Sequence, residues 1–365
     1  MSSRREAGMI YILGATGRIG RAVATQLAGQ DPVLAGQDLV LAGRDPDRLA
    51  AVAAALPGPA RTLVVADHAA AAREIRRARP TVVVNTLGGY ARTAATIARA
   101  CLPGGHYVDL ANDIVALPAL LDLHAEAAAA GSTLVTGAGF GVLATEALVV
   151  RLGAGRDTPA AVEVDALGSV AVAAGALGSA FAETSVDVLA TGGRRYRDGH
   201  LATERLAATV RRLSLPDGTS ASTASMPVGE LIAARLATGA PSVVATSGLA
   251  PTAPVVRALL PAASALMRIP ALRRFTVRRL AGIPIKAAPR PRQHSWGHAV
   301  LRWSDGSSAE GWLRTDDAMD FTAAVAAAVA ARLASGNTPP GSWTPARAFG
   351  PDIATDAGAV FLPRP

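Results

Sequence analysis

The chain is poor in residues that several function classes require. It has one cysteine in 365 residues, Cys101, so it can hold no internal disulfide and no cysteine-built metal cluster. In its helix-like segment that thiol reads as a small buried hydrophobe. One lysine, Lys286, stands among 36 basic residues, which leaves no Tyr-x-x-x-Lys pair and argues against Schiff-base chemistry. Aromatics make up 4% of the chain and interleave with no basic stripe, so the net charge of +8 does not point to nucleic acid. The arginine and alanine excess has the look of coding bias. No uncharged apolar run of about 20 residues occurs, and MSSRREAG leads into MIYILG without the apolar region of a signal peptide. The expectation is a soluble, cytoplasmic protein with no integral membrane segment.

What is present is enough apolar sequence, 50% of residues, for about two domains. From Met9 onward, β-branched runs alternate with alanine-rich stretches. The runs MIYILG, DLVLAG, RTLVVAD, TVVVNTL, HYVDL and STLVTG read as strands. Helices are expected near 18–29, 46–56, 69–78, 91–101 and 113–130. Apolar strands separated by helices predict a parallel sheet covered on both faces. The fold class is α/β, with a doubly wound N-terminal domain over 1–140.

The turn GATGRIG joins the first strand to the first helix. Gly14 allows a tight turn, Gly17 close approach of a diphosphate, and Gly20 close packing of helix on strand, while the helix N-terminus offers N–H groups to the anion. The cofactor-binding residues expected are Gly14, Thr16, Gly17, Arg18, Ile19, Gly20, Arg44, Asp67, Asn85, Thr86 and Gly88. A near-repeat, LAGQDPV, LAGQDLV, LAGRD, leaves two candidate ends for the second strand. The last copy is favoured because Asp45-Pro46 reads as a helix cap, with the first copy ending the first helix and the middle one lengthening the connection. Arg44 then stands where an acid would grip the ribose of NAD. A guanidinium there pairs with a 2′-phosphate, so NADP (NADPH) is the expected cofactor, with Arg18 or Arg48 assisting. The competing reading is a solvated arginine in an arginine-rich chain.

The succession GATGRIG, LAGRDPDRL, VVNTLGGYA, HYVDLAND and GSTLVTGAGF resembles the saccharopine dehydrogenase-like oxidoreductases, which include trans-acting enoyl reductases. GGRRYRDGHL and GSWTPARAFGPD are similar to that family's second domain and tail. The resemblance implies an NADP-binding Rossmann domain, then an α+β substrate and dimerisation domain over 141–320 whose open sheet forms a homodimer, and a helix and tail over 321–365 returning to the first domain. It leaves the substrate open. Two departures stand out. Gly141 follows GAGF where aspartate is common, and GGY lacks the usual proline before tyrosine.

In the second half, AAVEVDALGSV, RRYRDGHLA and RLAATVRRLSL read as strands, FAETSVDVLATGG as a helix, and WGHAVLRWSDGSSAEGWLRT as a hairpin carrying Trp296, Trp303 and Trp312 on its strands. Glu163 and Asp165 alternate with apolar residues and read as a solvated strand face. His294 and His298 share a strand face without a third ligand, so no metal site is assigned. Residues 255–284 mix apolar side chains with arginines and are broken by Pro261, Pro270 and Pro284. Such a segment can lie on a membrane, dock an acidic carrier or cover a pocket. Catalytic candidates follow the carboxyl ends of the strands. Tyr90 is either a proton donor or an aromatic packed under the cofactor. Asp109 is either catalytic or a helix cap, Asn112 lies just beyond it, and His106 is structural. The function expected is an NADPH-dependent reductase of a C=C or C=N bond in a small, largely apolar, possibly carrier-bound substrate. A secondary-amine dehydrogenase and a non-catalytic dinucleotide sensor are the alternatives.

Overall fold

A computed structural model describes residues 8–29, 37–172, 174–176 and 179–362. Residues 30–36, half of the first two copies of the near-repeat, lie outside them, as does most of the N-terminal segment. The chain divides into two compact units. The first runs through Ala111 and takes up Val115–Gly139 and Met319–Gly358; the second holds Asn112–Ile114, Phe140–Ala318 and the chain from Ala359.

The first unit alternates β1 (Met9–Leu13), α1 (Arg18–Gly29), β2 (Asp38–Gly43), α2 (Pro46–Ala54), β3 (Ala60–Val64), α3 (His68–Ala78), β4 (Val82–Asn85), α4 (Tyr90–Ala100), β5 (His106–Asp109), α5 (Ala116–Leu121), α6 (His124–Ala129) and β6 (Thr133–Val135). All strand pairings in this sheet are parallel, with β1 between β2 and β4. After β3 the chain returns to the other side of β1, which makes the carboxyl ends of β1 and β4 the switch point of the sheet. Ile10, Ile12, Val82, Val83 and Val84 are fully buried, as strands covered on both faces must be. The single helix expected over 113–130 is two short ones. The break at Asp122 and Leu123 closes with Asp122 N–H on Pro118 O and Leu123 N–H on Leu120 O. It brings His124 Nδ1 within 3.1 Å of the Ser342 carbonyl.

The second unit opens with α7 (Phe140–Gly153) and β7 (Ala161–Leu167), followed by β8 (Gly175–Ala176), α8 (Ser179–Thr191), β9 (Gly193–Arg197), β10 (His200–Glu204), β11 (Val210–Ser214), β12 (Ser220–Ser225) and α9 (Gly229–Thr238). Then come β13 (Ser242–Ser247), α10 (Pro254–Met267), α11 (Pro270–Ala281), β14 (Pro284–Ile285), β15 (Ser295–Arg302) and β16 (Ser308–Thr315). The chain ends with α12 (Ala318–Ala334), β17 (Gly341–Trp343), α13 (Pro345–Phe349), α14 (Ile353–Asp356) and β18 (Val360–Leu362). Of the helix and tail expected to return to the first domain, Met319–Gly358 belongs to the first unit and the chain from Ala359 to the second. β17 lies parallel to β6, whereas β18 lies antiparallel to β16 and covers that strand's open edge.

In the sheet of the second unit β7 runs between β13 and β15. Trp296 and Trp312 are core, packed with Leu167, Leu213 and Leu215. Trp303 sits just past the end of β15, its indole N–H on Asp157 O at 2.7 Å. Asp165 is fully buried rather than solvated. His298 Nδ1 reaches it at 2.7 Å, Thr223 and Thr246 donate to its other oxygen, and Arg211 pairs with it at 3.2 Å. A carboxyl can be buried where such partners surround it. His298 Nε2 lies 2.9 Å from Glu310, so both ring nitrogens face carboxylates.

Candidate functional site

The glycine turn is built by close approach. Gly14 has φ +78°, and a Cβ there would press on Thr86. Thr86 ties β4 to β1 through its N–H and hydroxyl, both on Leu13 O, the latter at 2.8 Å. A Cβ on Gly20 would overlap the Gly14 carbonyl and Ala15, so α1 can pack on the turn only with glycine at that position. Gly17 and Arg18 are exposed, Thr16 and Ile19 half-buried. Bare backbone therefore meets the first turn of α1, whose N–H groups lack intrahelical acceptors. Arg44 is exposed directly after β2. Asp45 caps α2, accepting from Arg48 N–H at 3.0 Å, and the Arg48 guanidinium turns back to Thr16 O at 3.5 Å. Two guanidiniums and no carboxylate at position 44 fit a dinucleotide with a 2′-phosphate. Asp67 caps α3, accepting from Ala70 N–H at 2.7 Å, which holds its carboxyl below the usual range.

The carboxyl ends of β4 and β5 carry a buried chain of polar groups. Asn85 Nδ2 donates to the Tyr107 hydroxyl at 2.9 Å, which donates to Asp109 Oδ2 at 3.0 Å. Asp109 Oδ1 accepts from Thr136 Oγ1 at 2.7 Å and from the N–H groups of Ala111 at 3.1 Å and Gly137 at 3.3 Å. Burial lifts the Asp109 carboxyl to about 6 against these donors. Its oxygens are thus occupied in fixing the loops after β5 and β6. Asn85 Oδ1 accepts from Leu87 N–H at 3.1 Å, and Gly88 (φ +74°) turns the chain into α4. Tyr90 opens α4 with its ring against the core of the first unit and its hydroxyl on Asn85 O at 3.3 Å. His106 accepts from Thr133 N–H at 3.0 Å.

Asn112 belongs to the second unit. Its Oδ1 accepts from Gly229 N–H at 2.9 Å, its Nδ2 lies 3.4 Å from Glu230 Oε1, and Asp113 bridges to Val228. Glu230, in the first turn of α9, is 3% exposed. Its Oε2 has no hydrogen-bond partner. Burial raises this carboxyl to about 7, with its own N–H and Asn112 opposing. A side chain at position 141 would overlap Glu230 Oε1, so Gly141 is the space into which the carboxyl fits. Sequence reasoning missed Glu230. The one signal was Gly141, noted as a departure with no partner named.

Residues 10–135 match the model of the saccharopine dehydrogenase NADP-binding domain. The chain carries a saccharopine dehydrogenase NADP-binding domain. It is an NADP-dependent oxidoreductase with a saccharopine dehydrogenase-like fold. The fold extends past the NADP-binding domain. Apo saccharopine dehydrogenase (L-Glu forming) from Saccharomyces cerevisiae aligns over 98% of this chain and 100% of its own, at 14% identity and a TM-score of 0.60. GenD2 from gentamicin A biosynthesis, solved in complex with NAD, aligns over 100% and 98% at 14% identity and a TM-score of 0.44. No curated protein matches the chain in sequence. Among the described residues, no single helix is long and apolar enough to cross a membrane, and no cluster of three His, Cys, Asp or Glu side chains could hold a metal ion.

Proposed function

We propose that the chain reduces a C=C or C=N bond of a small, largely apolar acceptor, free or carrier-bound, with NADPH, and works as a homodimer. The bound nicotinamide supplies hydride, and the protein must hold the diphosphate and provide a proton. Gly14, Gly17, Gly20 and the start of α1 would hold the diphosphate, with Arg44 and Arg48 on the 2′-phosphate. The observation that carries the reading is Glu230, a buried carboxyl with an unpartnered oxygen, raised to about 7. Such a group keeps its proton near neutral pH and can give it to a carbon or nitrogen as hydride adds. Asn112 is its positioning residue. Tyr90 and Asp109, the other candidates, have their oxygens on partners within the first unit.

The test is NADPH consumption with an α,β-unsaturated thioester and with a cyclic imine, followed by product analysis. Saturation of one of these bonds is expected. NADPH consumption with neither, alongside oxidation of a secondary amine by NADP, would overturn the direction and the acceptor class together.

A further inference from the structure

From Leu231 to Ser304 the chain contains no aspartate or glutamate, while ten arginines and Lys286 fall in the same stretch. The centre of that stretch is α10 and α11. The only charged side chain within α10 is Arg257, and it points inward, donating from Nε to Ala207 O at 2.8 Å and from Nη2 to Ala208 O at 3.1 Å. The inner face of the helix is completed by Leu260, Ser264 and Met267, all buried. The opposite face carries no compensating polarity. Val255 is 75% exposed, Leu259 64% and Leu266 49%, and their spacing of four and seven residues places them on one stripe with exposed Ala258 and Ala262. A surface helix that turns its one charge back onto the protein and leucine and valine outward inverts the usual amphipathic arrangement.

α11 supplies what α10 lacks. None of its residues is buried, Phe275 is 54% exposed, and Arg274, Arg278 and Arg279 stand exposed around it, with the Arg279 guanidinium 5.4 Å from the Phe275 ring centroid. Arg273 is the exception, paired with Asp187 of α8. Leu249, Ile269 and Ile283 add exposed apolar side chains before, between and after the helices. The two helices meet at a bend of 117°. At about 1.5 Å per residue each spans only about 20 Å, short of a bilayer core of about 30 Å, so the pair is suited to lying in an interface rather than crossing it.

We propose that α10 and α11 form a monotopic docking surface for an anionic lipid bilayer, with the α10 stripe and Phe275 entering the headgroup boundary and Arg274, Arg278 and Arg279 meeting lipid phosphates. A bilayer fits better than a second copy, because two such faces would oppose cation to cation with no acid from 231 to 304 to relieve them. It also fits better than an acidic protein, because the outer face of α10 offers no polar group to recognise a discrete partner.

The experiment is flotation of the full chain with vesicles of phosphatidylcholine alone and of phosphatidylcholine mixed with phosphatidylglycerol. Binding to the anionic vesicles is expected to exceed that to neutral ones by about tenfold or more and to fall with added salt. Val255→Asp with Leu259→Asp, and separately Arg274→Glu with Arg278→Glu, should each reduce vesicle binding by about tenfold or more. These side chains are exposed, so NADPH affinity and circular dichroism should be unchanged. Absence of flotation with anionic vesicles overturns the proposal, as does binding by both double variants equal to that of the unsubstituted chain. Concentration-dependent dimerisation abolished by Leu259→Asp, without vesicle binding, would assign the face to a second copy and likewise overturn it.

Discussion

Asp109 and Glu230 are both buried carboxyls that burial pushes upward, to about 6 and about 7, yet they are held in opposite ways. Asp109 receives four donors within 3.3 Å, from Thr136, Ala111, Gly137 and Tyr107. Glu230 has one side-chain donor, Asn112 at 3.4 Å, and an oxygen with none. The difference teaches that a perturbed carboxyl is not by itself a catalytic one. A saturated group fixes structure, and releasing it costs the stability of every donor it serves. An unsaturated one carries a desolvation cost that a protein retains where chemistry uses the proton.

The largest effect expected from this contrast is on turnover. Glu230→Gln should leave NADPH affinity and folding intact and lower kcat by about 10² to 10⁴, the range of a general acid. Unchanged turnover would place the proton source elsewhere and dissolve the distinction. Asp109→Ala should act on stability instead. It strands two hydroxyls and two N–H groups, and urea unfolding should show a loss of about 3 kcal/mol. A stable Asp109→Ala protein with greatly reduced turnover would reverse the two roles.

The pH dependence follows next. Both groups keep their protons in the folded chain to higher pH than in the unfolded chain, where their ordinary values are 3.8 and 4.5. Their contribution is fully present below the unfolded values and is lost as pH rises through about 6 for Asp109 and about 7 for Glu230. Glu230→Gln should therefore remove roughly 3 kcal/mol of the fall in stability between about pH 4.5 and 7. An unaltered stability profile in the variant would mean that Glu230 is not held neutral by burial. Arg44→Ala tests the first unit alone: the preference for NADPH over NADH should drop by about 1.5 to 3 kcal/mol, and equal parent affinities for the two cofactors would end that claim. The smallest effect is expected for Tyr90→Phe. With its hydroxyl on the Asn85 carbonyl, it should cost about 1 kcal/mol of stability and little turnover. A loss of turnover comparable to that of Glu230→Gln would restore Tyr90 as proton donor.

Local signals were legible where their physics is local. β2 runs over Asp38–Gly43 and α1 over Arg18–Gly29 as their apolar runs and flanking turns require, and Asp45-Pro46 caps α2 through a contact three residues long. Gly14 and Gly20 announce close packing because only the absence of a Cβ permits it. The helix expected over 113–130 failed at its middle, since the break is joined to Ser342, 218 residues from His124. Asp165 defeated the alternation rule in the same way, because His298, its partner, is 133 residues distant.

The sequence by itself determined the alternating α/β order, the glycine turn after the first strand and the arginine at the end of the second strand, since dihedral freedom, capping and side-chain period act within a few residues. Only the tertiary structure decided which carboxyls lose their water. Asn112 and Glu230 are 118 residues apart, and nothing in GELIAARL shows that a glycine at 141 leaves the space for that side chain. Burial is a property of what the rest of the chain brings alongside a residue, and so is the proton affinity that follows from it.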